Sequence, residues 1–295
     1  MGRFSAWLMN PVLGKEIKLR FRSFKSFLGI MVYLLILGAI AIGFIYMQSK
    51  INPVSGGFRT EDSRTLFLIL TMVQMLLIGF MAPGLTAGAV SGEREKQTLN
   101  ILLTTRQSSA AIILSKLFSS LAFLLLIMIS SLPVYALVFV YGGVSPQTVL
   151  ATFGVYLLSM FTFGSLGILF STLVRKTIVA MITTYGVVLL LTAGTAFLLF
   201  FSLTFIETAV GGGMVSHSHP FTYMMMAINP VVILFTSLEP AMFQDIQREI
   251  GIGMPLWIGF SCSYLIIAIL AVWISIARLR PRMKRRMVTG REVNE

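Results

Sequence analysis

The sequence has little of what soluble enzymes and metalloproteins use for chemistry. Among 295 residues there is one cysteine, Cys262, with two histidines and eleven acidic residues. A single cysteine excludes an internal disulfide and any multi-cysteine metal site. No G-x-x-x-x-G-K-[ST] stretch occurs, so the chain has no Walker-type phosphate cradle of its own. No acids, bases and metal ligands cluster at an interface. No catalytic residue and no metal site is therefore expected, and the chain is not read as an enzyme. Charged residues make up only 12% of the chain, against about 25% in a soluble domain. What fills their place is apolar: 56% of the residues are hydrophobic and the mean hydropathy is +0.88. The chain reads as an all-α polytopic membrane protein. Its eighteen methionines are scattered through the apolar runs and read as packing.

Six runs are long enough for the roughly 20 residues that a helix needs to cross the bilayer core. They are Phe27–Met47, Thr65–Val90, Leu117–Tyr141, Thr148–Val174, Ile178–Ile206 and Pro255–Ala277. These define a six-span domain over residues 27–277, preceded by residues 1–26 and followed by a basic tail at 278–295. Ala39-Ile40-Ala41 looks like a signal-peptidase site, but the apolar run continues past it, so an uncleaved first span is expected.

The net charge of +12 sits at the ends of the spans. With this topology nineteen lysines and arginines fall on one side and four (Lys50, Arg59, Arg64, Arg248) on the other. The bias places both termini in the cytoplasm, which an even number of spans allows. Retention at the membrane explains the charge, and nucleic acid is not an expected partner; membrane lipid is. Within the spans ionisable side chains are nearly absent. Lys116 and Glu207 stand at edges, and Gln74 is the most polar interior side chain of the second span. Ion-coupled transport needs a mid-membrane group to hold the ion. Energy for uphill movement would therefore come from a separate chain.

Between spans 2 and 3 the chain reads SGEREKQTLNILLTT, from Ser91 to Thr105. Glu93, Arg94, Glu95 and Lys96 are consecutive charges, and Leu99, Leu102 and Leu103 follow on one helical face. The pattern predicts a short amphipathic helix at the cytoplasmic surface. It could float on headgroups with its charges wet, or seat its leucines in a partner's groove.

The stretch from Ala89 to Leu121 resembles the cytoplasmic loop of type-2 ABC transporter permeases, where GEREKGTLELLLTSP follows the second of six spans. Gly92, Glu93, Arg94, Glu95, Lys96, Thr98, Leu99, Leu102, Leu103, Thr104 and Lys116 match. Gln97 replaces the usual Gly, Asn100 the usual Glu, and Thr105-Arg106 the Ser-Pro. Asn10–Leu28, with Lys15-Glu16, resembles the group's interfacial elbow helix. The resemblance implies a coupling loop at 91–109 docked on a cytoplasmic ABC ATPase dimer. It also implies a second permease chain, the same or similar, and use of the assembly for export, with ATP and magnesium held by the partner and no cofactor here. Glu93 and Glu95 would favour the helix N-terminus, Arg94 and Lys96 would set register on the partner, and Leu99, Leu102 and Leu103 would anchor. Reversing Glu93 and Glu95 to lysine is then expected to leave the fold intact and weaken docking. An ATP-independent channel or facilitator, or a membrane enzyme, are the rival readings.

Other features carry less. Arg175-Lys176, between spans 4 and 5, reads as topology anchoring or a secondary ATPase contact. Gly84-x-x-x-Gly88 allows close helix approach within the chain. Pro83 and Pro133 should kink spans 2 and 3. The external loop 207–254 contains an apolar piece, Phe221–Pro240, interrupted at Asn229-Pro230 and expected to form a re-entrant or interfacial hairpin. His217 and His219 with Met224, Met225 and Met226 raise copper only weakly.

Overall fold

The computed structural model describes residues 24–51, 59–98, 108–209, 219–238 and 253–279. The expected elbow before residue 24 and the basic tail beyond 279 lie outside them. Every regular element among the described residues is helical. In chain order these are α1 (Phe24–Ile51), α2 (Thr60–Thr86), α3 (Ser91–Glu95), α4 (Ser109–Ser130), α5 (Leu132–Tyr141), α6 (Pro146–Leu173) and α7 (Thr177–Leu189). A π-helical turn, Leu190–Gly194, joins α7 to α8 (Thr195–Ala209). Then come α9 (Pro220–Ile228), α10 (Pro230–Leu238) and α11 (Leu256–Leu279).

Six helical stretches are long and apolar enough to cross a membrane, as the sequence predicts. Their ends show local causes. Ser108 caps α4 by accepting the Ala111 N–H at 3.2 Å. Ser145 caps α6 by accepting the Thr148 N–H at 3.1 Å, with Pro146 at the first helical position, where its missing N–H costs nothing. The second span starts at Thr60, five residues earlier than its apolar run. The reason is Asp62, whose buried carboxylate accepts from the Arg59 N–H (2.8 Å) and from Gln48 Nε2 of α1 (2.5 Å). The acid thus starts the helix and ties it to its neighbour. Pro133 breaks the third span between α4 and α5, at Ser131. Pro83 does not break α2, which continues to Thr86.

α6 is the axis of the bundle: 61% of its span is buried, against 11% for the α7–α8 span and 17% for α1. It packs against α11, α2, α7, α4 and α10. Close approach is made possible by Gly167, where a Cβ would stand 1.9 Å from Thr86 Oγ1. Gly84 and Gly88 face inward, on Tyr185 and Thr177 of α7, so their motif serves packing within the chain. Buried hydroxyls mostly bond back to their own helix, as Thr86 does to the Ala82 carbonyl and Ser165 to that of Phe161. Gln74 is met by Tyr33 of α1, and the Tyr135 and Tyr156 hydroxyls reach the carbonyls of Leu70 and Thr71.

At the opposite end from α3, α9 and α10 form a pair bent by 90° at Asn229, so residues 220–238 are not one straight helix. The Asn229 side chain serves both sides of the bend. Its Oδ1 accepts from the Val231 and Val232 N–H groups at the start of α10 (2.9 and 3.3 Å). Its Nδ2 donates to the Thr192 carbonyl (2.8 Å) and Thr195 Oγ1 (2.9 Å). Thr192 lies in the π-turn, and its carbonyl also accepts from Thr195 Oγ1 at 3.2 Å.

Candidate functional site

α2 ends at Thr86, and the chain makes one turn before α3 begins at Ser91. A helix end leaves backbone groups without helical partners. Here the N–H groups of Val90 and Ser91, both fully buried residues, are taken by one side chain: Ser171 Oγ accepts both at 2.9 Å. This pins the start of α3 to the last turn of α6.

The charged residues that follow are turned toward the rest of the bundle. Glu93 pairs with Lys116 Nζ of α4 at 2.5 Å, with the lysine side chain 6% and the glutamate 30% exposed. The Arg94 guanidinium donates to the carbonyls of Thr172 (3.2 Å) and Val174 (3.5 Å). Those carbonyls close the C-terminal end of α6, where a cation is favoured by the helix dipole. Glu95 accepts from the Thr177 N–H at 2.9 Å and from its hydroxyl at 2.7 Å. It therefore sits on the N-terminus of α7. Three consecutive side chains engage three different helices, and with Ser171 they join α2, α4, α6 and α7 in one clasp.

Two sequence expectations change here. The predicted helix over Ser91–Thr105 stops at Glu95. Gln97 has φ of 59°, the left-handed region that favours glycine. Its N–H bonds the Arg94 carbonyl (3.1 Å) and the Thr98 N–H bonds that of Glu93 (2.9 Å), the two bonds of a Schellman C-cap. A glycine is the natural residue for that position, which accounts for the one usual in the resembling loops. Second, Glu95 complements the dipole of α7 rather than of its own helix, and Arg94 serves α6. Lys96 is exposed, as are Arg175 and Lys176 in the turn between α6 and α7. Leu99, Leu102 and Leu103 lie outside the described residues.

Sequence reasoning marked Lys116 only as a span-edge residue matching the resembling loop, not as the partner of Glu93, and did not single out Ser171. Neither pairing has a local signal. Lys116 is 23 residues from Glu93, and Ser171 is one serine among many in apolar helices. Of the external His/Met group, Met225 and Met226 are buried and Met224 is exposed, so the three do not present one face. His219 precedes α9, and His217 lies outside the described residues. No group of three or more His, Cys, Asp or Glu that could hold a metal occurs among the described residues.

A comparison with curated proteins finds no match. The family model described as "ABC-2 family transporter protein" matches residues 10–278, a span that takes in all the described helices except the last residue of α11. The chain belongs to the ABC-2 transporter family, as a multi-pass permease component without an ATPase site of its own.

Proposed function

We propose that this chain is the transmembrane subunit of an ATP-driven exporter in the cell membrane. Both termini and residues 91–105 face the cytoplasm, in keeping with the nineteen-to-four basic bias. A separate ABC ATPase dimer binds ATP and magnesium. A second permease chain, identical or similar, completes the pathway.

The observation that carries this reading is the clasp. A push on α3 is delivered to α4 through Glu93–Lys116, to α6 through Arg94 and Ser171, and to α7 through Glu95. A five-residue element tied to four spans is a point at which an external motor can move the bundle as a unit between two states. With Glu93, Arg94 and Glu95 engaged internally, docking falls to Lys96, to Arg175 and Lys176, and to Leu99, Leu102 and Leu103 as the apolar anchor. The exposed part of this surface is basic, so the matching ATPase face is acidic at its rim.

Co-expression with the ATPase of the neighbouring reading frame tests the proposal. The ATPase should co-purify with the permease, and reconstituted ATP hydrolysis should respond to it. Reversal of Lys96, Arg175 and Lys176 to glutamate should cut recovery of the ATPase without destabilising the permease. A permease that recovers no ATPase and moves substrate equally without ATP would return the channel or facilitator reading.

A further inference from the structure

At the end of the bundle opposite α3, a cavity of about 300 Å³ opens between the first turns of α2 and the end of α10. Glu61, Arg64, Thr65, Leu68 and Leu238 line it. Positions 61, 64, 65 and 68 follow the i, i+3, i+4, i+7 rule and share one face of α2. Their chemistry is graded along the axis. Glu61 and Arg64 stand in the first turns, while Leu68 lies seven residues on, about 10 Å deeper at 1.5 Å per residue. Leu238, only 8% exposed, faces it from α10. Over the same depth a bilayer passes from headgroup to acyl chain.

The two charges are not spent on each other. A Glu and an Arg three residues apart on a helix commonly pair. Here Arg64 Nε donates instead to the Gly143 carbonyl at 3.1 Å, which fixes the guanidinium by one edge and leaves its terminal nitrogens available. The only ion pair among the described residues is Glu93–Lys116, so the Glu61 carboxylate is not neutralised by Arg64. Asp62 next door makes the contrast: it is buried and bonded to Gln48 and Arg59, and serves the helix start. Glu61 and Arg64 are exposed, and neither carries a charge partner among the described residues.

We propose that this cavity binds one zwitterionic amphiphile carrying a phosphate and a primary ammonium, of the phosphatidylethanolamine type. The ammonium meets Glu61, the phosphate meets the free edge of Arg64, and the upper acyl chain lies on Leu68 and Leu238. A bidentate guanidinium suits phosphate, and a carboxylate one turn away rewards an ammonium and disfavours a lipid with only negative charge. The volume accommodates a headgroup and the top of a chain, with the remainder in the bilayer. The site does not depend on the ATP-driven reading. Its ligand is either a resident lipid or an exported amphiphile of the same headgroup chemistry.

Native mass spectrometry of the full-length chain, titrated with phosphatidylethanolamine, phosphatidylglycerol or phosphatidylcholine, tests it. The wild type should retain one phosphatidylethanolamine with about tenfold preference over either of the others. Glu61→Gln should lose the preference over phosphatidylglycerol, and Arg64→Gln should weaken retention of all three phospholipids, since each presents the phosphate to it. Because Arg64 also holds Gly143, Glu61→Gln is the deciding variant; its side chain is exposed and holds no ion pair among the described residues, so the fold should survive. Equal phosphatidylethanolamine retention in the wild type and Glu61→Gln, or a wild-type preference for phosphatidylglycerol, would overturn the proposal. ATP-dependent movement of a labelled phosphatidylethanolamine in proteoliposomes, slowed by Glu61→Gln, identifies an exported ligand. Headgroup-specific binding without such movement identifies a resident one, and either keeps the site.

Discussion

Ser171 offers the sharpest perturbation of the clasp, because one small hydroxyl holds two backbone donors. Replacing it with alanine removes the acceptor 2.9 Å from both the Val90 and Ser91 N–H groups. Val90, Ser91 and Ser171 are each fully buried, and the turn between α2 and α3 gives these amides no helical carbonyl within the described bonds. An orphaned buried donor costs about 1–3 kcal/mol. Two of them should cost about 2–6 kcal/mol. Ser171→Cys keeps a weak acceptor on a somewhat larger side chain, and should fall between alanine and the wild type. Reversible unfolding of the purified chain in mixed micelles reads the stability. Stimulation of ATP hydrolysis in the reconstituted complex reads the coupling. If α3 transmits motion through Ser171, alanine should lower stimulation more than it lowers ATPase recovery in a pull-down. A Ser171→Ala chain within about 0.5 kcal/mol of the wild type, with full stimulation, would refute the reasoning, since either the two amides find other acceptors or the clasp transmits nothing.

Three further outcomes are expected. Gln97→Gly should stabilise the loop by about 1 kcal/mol, by relieving a left-handed residue in a Schellman cap, and should slow hydrogen exchange at the Thr98 amide. Glu93→Gln should cost about 2–3 kcal/mol by weakening the support of a nearly buried ammonium. Pairing it with Lys116→Met should recover much of that loss in a double-mutant cycle, and a purely additive result would mean that the two side chains are not coupled. Asn229→Asp keeps the cap on α10 but loses the Nδ2 donor and sets a carboxylate against the Thr192 carbonyl. It should cost about 1–3 kcal/mol and raise hydrogen exchange across α10 more than across α6, whereas uniform exchange would deny the side chain its role at the π-turn.

The sequence by itself determined the class, the number of spans and the break at Asn229-Pro230. These follow from local properties: a run of about 20 apolar residues must be helical in hydrocarbon, since the backbone there has no water to bond, and proline removes a donor wherever it stands. It also marked Gly92–Lys96 as the segment of interest, since four consecutive charges between apolar spans need a reason. What those charges do was decided only in three dimensions. Read along the chain, Glu93 and Glu95 look like anions at the start of their own helix, free for a partner. In the fold they meet Lys116 and Thr177, 23 and 82 positions away, and reversing them would cut the clasp rather than leave the protein unchanged. Ser171 and Gly167 were likewise silent, since a serine or glycine in an apolar helix is defined by what the helix across from it presents. Even the end of α3 needed the structure, where Gln97 takes a glycine's backbone conformation inside the two Schellman bonds. Hydrophobicity acts on each segment alone and can be read residue by residue. Hydrogen bonds and ion pairs need two groups within about 3 Å, and only the packing of α2, α4, α6 and α7 brings those groups together.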